Sequence, residues 1–200
     1  MEKTELKIQE VVLKIKPIQI GHGLTTYENI LKNNFREVES CFIELGWPSD
    51  KESLWPTSLV SSPKDTSFAS STEEFLTSLF RNPCLQRTNL KKIGLSEDFE
   101  LKSKFDEIPF LALDGYLATV MSYVGWYGQN YSDLTELKKV GLEIINETFG
   151  SPSYHYKCFF NDFQIWSDNF DSWDVMFSFI VLNNKNKTIT ILHTHGQQAE

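Results

Sequence analysis

The sequence predicts an α+β fold, with helices mainly in residues 26–149, an antiparallel β meander in residues 153–195 and a single compact domain. Three observations lead there. Apolar residues keep helical spacing through the middle of the chain, and the period changes to two after Gly150. Helices crowd the middle and strands the end, unlike the strand–helix alternation of a parallel sheet. The third is bulk: 200 residues, 40% hydrophobic and 23% charged, make one ordinary globular domain whose core needs no disulfide or metal. Within it, the N-terminal strand and helical part cover residues 1–150 and the C-terminal antiparallel sheet residues 151–200.

Residues 6–20 have strand-like content (Ile8, Val11, Leu13, Ile15, Ile18, Ile20), broken by Pro17, and so predict an edge strand or two short ones. Gly21-His22-Gly23 reads as a turn. Residues 26–45 read as a helix: Ile30, Leu31, Phe35, Val38, Cys41, Phe42 and Leu45 keep helical spacing, Thr25 or Thr26 caps the start, and Gly46 and Pro48 stop the end. Residues 47–70 are rich in Ser and Pro and carry Trp47 and Trp55, the mark of a loop packed over the core or lining a binding surface. Ser71 and Glu74 form a capping box that opens a short helix to Leu79 or Arg81, closed by Pro83.

Residues 95–105 are charged and give no clear element. Residues 109–127 are the most apolar helix candidate, expected at the centre of the core. Residues 132–149 form an amphipathic helix with Ser132 as N-cap, Asp133 and Glu136 at the positive end of its dipole, and Leu134, Leu137, Val140, Ile144 and Ile145 as its apolar stripe. Gly150 and Pro152 stop it. Strands follow at 154–160 and 163–166, joined through Asn161-Asp162, then at 173–182 and 188–195, joined through the turn at 183–187. The run at 173–182 is apolar on both faces except for Ser178, so it belongs in the middle of the sheet. An exposed last strand would offer an edge to a second copy.

The net charge of −8, with Lys/Arg only in pairs such as Lys91-Lys92, argues against nucleic acid and against anionic membrane surfaces. The longest apolar stretch, residues 108–124, is broken by Asp114, Gly115 and Ser122 and falls short of a membrane span. The polar opening Met1-Glu2-Lys3-Thr4-Glu5 predicts no secretion signal, and the odd set Cys41, Cys84 and Cys158 reads as free thiols. Together these predict a cytoplasmic protein.

Two constellations carry the chemistry. His193 and His195, two apart on a strand, share a face, and His155 on an earlier strand of the meander would make a third ligand. Three histidines with one open position suit zinc. The second is acidic and aromatic: Trp166, Asp168, Asp171, Trp173 and Asp174 surround a polar loop. Tryptophan anchors ringed by acids suit a basic protein partner, the rings supplying buried area and the acids steering. Gly21-His22-Gly23 adds a turn whose backbone N–H groups could hold an anion. The residues 124–130, with Gly125, Trp126, Tyr127 and Gly128, end the apolar helix and either line a pocket or pack on the core. No phosphate-loop, dinucleotide, nucleophile-elbow, Cys-x-x-Cys or His-Glu-x-x-His motif occurs.

The expectation is therefore an acidic, non-enzymatic protein-binding module without a cofactor, covering a basic partner in the manner of an immunity or antitoxin-type protein. That parallel rests on composition alone. The alternative is a small metal-dependent enzyme or ligand binder using His155, His193 and His195.

Overall fold

The computed structural model describes residues 8, 11–56, 72–85, 105–123, 133–150, 155–162 and 174–197. Its centre is a six-stranded, fully antiparallel sheet. The strands are β1 (Lys14–Pro17), β2 (Arg36–Gly46), β3 (Asp106–Ile108), β4 (Tyr156–Asp162), β5 (Asp174–Asn183) and β6 (Thr188–Gln197), in the order β1-β2-β6-β5-β4-β3. The helices are α1 (His22–Asn34), α2 (Thr72–Phe80), α3 (Leu113–Ser122) and α4 (Leu134–Phe149). The α+β class holds, with the C-terminal β4-β5-β6 meander at its heart.

The sheet is buried on both faces. On one, Leu24, Leu31, Leu117, Met121, Ile144 and Ile145 of α1, α3 and α4 pack on Phe42, Phe160, Phe177, Phe179 and Leu192. On the other, Phe75, Leu76, Leu79 and Phe80 of α2 pack on Ile43, Phe159, Ile180, Leu182 and Ile191, joined by Ile8, Val11 and Leu13. Every residue from Val175 to Leu182 is at most 2% exposed, so β5 is as central as its apolar run implies. No helix among the described residues is long and apolar enough to cross a membrane.

The largest correction falls on residues 26–45. The helix starts earlier, at His22, and ends at Asn34; residues 36–46 are strand β2. Glu37 takes φ 49° and the register shifts between Arg36 and Glu39, so the chain leaves the helix through a bulge. Beyond it Cys41, Ile43 and Leu45 enter one core and Phe42 the other. A strand buried on both faces presents a continuous apolar run, and positions 38, 41, 42 and 45 then satisfy helical spacing by coincidence. Because β2 pairs with β6, the last strand is interior and offers no edge to a second copy. The sheet edges are instead β1, with Lys14, Lys16 and Pro17, and the three-residue β3, with Asp106 and Glu107, both of a kind that discourages strand addition.

Smaller differences have local causes. Asp133, not Ser132, caps α4: its carboxylate accepts from the Thr135 and Glu136 N–H groups at 2.9 and 3.4 Å. Leu134 points outward, 57% exposed, and is not in the buried stripe. Gly150 stops the helix at φ 71°, as its position implies. Asn161 and Asp162 lie within β4 and make no turn; Asn161 is buried opposite Ser178. Trp47 and Trp55 pack edge to face at 5.3 Å in the core, their N–H groups donating to Lys51 O and Asn184 Oδ1. The strand expected at 163–166, the Ser71 cap and the segment 124–130 lie outside the described residues.

Candidate functional site

His193 and His195 do share a face of β6, their rings 5.5 Å apart. The register sets Cys41 of β2, His193, Ser178 of β5 and Asn161 of β4 side by side across the sheet, each at most 5% exposed. The next row along holds Glu39, His195 and Met176. His193 Nδ1 and Ser178 Oγ are hydrogen-bonded at 2.8 Å, so the one polar residue in the apolar β5 run is the partner that lets an imidazole be buried. Burial, aided by His195, pushes the His193 pKa well below its ordinary range. The row is a sealed, neutral polar seam inside the sheet.

His155 does not join it. It precedes β4 at the end that pairs with Asn183, where its carbonyl accepts from Asn184 N–H at 2.9 Å. His193 sits opposite Ser178. Six strand positions separate the two levels, roughly 20 Å. No group of three or more His, Cys, Asp or Glu side chains among the described residues is arranged to hold a metal ion. The three-histidine zinc arrangement is therefore not assembled: residues two apart on one strand share a face, but a residue at the far end of another strand need not meet them.

The Asp/Trp loop gives no geometry to weigh. Trp166, Asp168, Asp171 and Trp173 lie outside the described residues, and Asp174 is placed only as the first residue of β5.

A second constellation lies on the outer surface, where α1 meets α4. Gly21 is the N-cap of α1 and has no side chain to satisfy the helix's first N–H groups. Glu147 of α4 does so from outside: its two carboxylate oxygens accept from the His22 and Gly23 N–H groups, each at 3.0 Å. The helix N-terminus thus binds an anion, as the glycine-flanked segment suggested, but the anion belongs to the same chain. The glycines serve close approach. A Cβ on Gly21 would lie 2.4 Å from the Glu147 carboxylate, and one on Gly23 would lie 2.8 Å from Ile144 N. The His22 ring turns outward, its side chain 77% exposed, and its Nδ1 is 3.0 Å from both carboxylate oxygens of Glu143. The hydrogen bond and charge of Glu143 raise the His22 pKa, and Glu147 adds to the rise.

Beside this junction the outer face of α4 carries a shallow groove lined by Glu136, Lys139, Val140, Leu142, Glu143, Asn146 and Glu147. Leu142 is 47% exposed, and Leu134, more than two turns earlier on the same helix, is also exposed. Lys139 pairs with Glu136 across one turn. Its lining carries three glutamates against one lysine, with Val140 and Leu142 as its apolar side chains. Two signals in the sequence marked this face: Glu136, Glu143 and Glu147 recur at helical spacing, and Leu142 lies off the buried stripe.

No protein-family model matches the chain, and no curated protein does. Among solved structures it is similar to the crystal structure of citrus MAF1, at 12% sequence identity and a TM-score of 0.39, over 88% of this chain and 99% of that one. At that level the likeness carries no functional argument.

Proposed function

We propose that the protein is a binding module for a basic protein partner, docked on the outer face of α4. The observation that carries this reading is the α4 groove, where Leu142 lies exposed among Glu136, Glu143 and Glu147. Apolar area at the centre of a charged rim is the anatomy of a protein interface, and the acidic rim selects a cationic surface. The net charge of −8 extends that field over the molecule and speeds encounter with a basic protein. An immunity or antitoxin-type protein, which neutralises a basic toxin by covering it, would act in this way. Such a protein needs no catalytic group, and the sheet histidines enter the proposal only as core.

The test uses an oligolysine peptide as probe, titrated by calorimetry into the full chain at low and high salt. Binding that weakens as salt rises, and that Glu136→Lys with Glu143→Lys abolishes, is the expected result. Binding that survives the double charge reversal would remove α4 as the docking face.

A further inference from the structure

The hydrogen bonds at the α1–α4 junction have a further consequence. The N-terminus of α1 carries the positive end of a helix dipole, which by itself would disfavour an imidazolium on His22. Glu147 occupies that end with both oxygens, so the dipole is already countered. Glu143 is then left to face the His22 ring. Glu143 and Glu147 are the charges that act on His22, and the lysines of α1 and α4 with a described ion pair meet other carboxylates: Lys139 meets Glu136 on α4, Lys138 meets Asp114 of α3, and Lys32 meets Glu28 on α1. One titrating cation thus stands against two carboxylates, and both carboxylates also line the groove.

We propose that this junction is a proton-operated latch: protonated His22 ties α1 to Glu143, and loss of the proton frees Glu143 to meet a cation in the groove. The second half rests on reading the groove as a docking surface for a basic partner; the first half does not. Lysine side chains keep their charge from pH 5.5 to pH 8, so a change in their binding over that range reports on the protein's own groups. Linkage makes the effect reciprocal: if the His22 proton weakens cation binding, a bound cation must weaken proton binding at His22 by the same factor.

The experiment follows the His22 ring by NMR from pH 5 to pH 9 in the wild type, in Glu143→Gln and in the wild type saturated with oligolysine. In the free protein His22 should titrate above the ordinary 6.5, and Glu143→Gln should bring it back toward that value. Oligolysine should lower it, and should bind about two- to fivefold more tightly at pH 8 than at pH 5.5. His22→Gln should flatten that dependence. A His22 ring that titrates at or below 6.5 in the free wild type would overturn the latch. Oligolysine that binds without moving the His22 titration would overturn its link to the groove while leaving the docking reading intact. No oligolysine binding at either pH, with His22 still titrating high, would uphold the His22–Glu143 tie and remove both the docking reading and the second half of the latch.

Discussion

His193 and His22 are the same side chain in opposite settings. His193 is sealed in the sheet against Ser178, and burial drives its pKa down. His22 stands in solvent against Glu143, and pairing drives its pKa up. The difference separates what holds this molecule together from what is available to another. The sheet seam is rich in functional side chains and closed; the outer face of α4 is built of ordinary surface residues and open. Residue type makes the seam histidines a candidate beside the Asp/Trp loop, whereas access and charge favour the helix.

Truncating one apolar side chain in each region should separate them most widely. Phe159 is fully buried in the α2-side core, and Phe159→Ala should cost about 3–5 kcal/mol in urea unfolding. Leu142→Ala should leave stability within about 0.5 kcal/mol and weaken oligolysine binding instead. A glycine pair sharpens the contrast next. A Cβ on Gly23 meets Ile144 N at 2.8 Å, and Gly23→Ala should destabilise by about 1–3 kcal/mol. Gly115 in α3 has nothing within 4 Å of an added Cβ, and Gly115→Ala should stabilise by about 0.5–1 kcal/mol, read from the same urea midpoints.

The pH dependence distinguishes the two histidines by sign. His193 has its folded pKa below its unfolded value near 6.5. It has no effect well above 6.5 and destabilises as pH falls through it, by up to about 1.4 kcal/mol per pH unit. Stability should fall between pH 6.5 and pH 5 in the wild type, and His193→Gln should remove that slope. His22 acts in the opposite sense: its folded pKa is raised, so its contribution is fully present below 6.5 and is lost as pH rises through the folded value. It stands largely in solvent, so its effect should be the smallest of these, visible as a change in pH profile between wild type and Glu143→Gln.

The parts of the fold that were legible in the sequence are those with one buried face or a firm stop. Helix α4 with Gly150 after it, helix α2 and the apolar β5 run all lie where the sequence pattern sets them. Strand β2 is hidden because its first half is charged and exposed while Cys41-Phe42-Ile43 is covered on both faces, which erases the period of two. Strand β3 was hidden because Asp106-Glu107-Ile108 is short, charged and at an edge, with too few residues to show any period. Local preference at Asn161 favours a turn, and its place in a cross-strand polar row overrides that preference. At the site, the shared face of His193 and His195 followed from strand geometry. The separation of His155 did not, because it depends on register between strands. The grip of Glu147 on His22 and Gly23 spans more than 120 residues of sequence, and only packing reveals it.

The most direct test of the central claim, that binding belongs to the outer face of α4 and not to the sheet histidines, is amide shift mapping of the isotopically labelled chain during oligolysine titration. Shifts confined to residues 136–147 of α4 and to His22 and Gly23 are the predicted result. Shifts centred on His193 and His195 of β6, or no shifts on α4 at saturation, would contradict it.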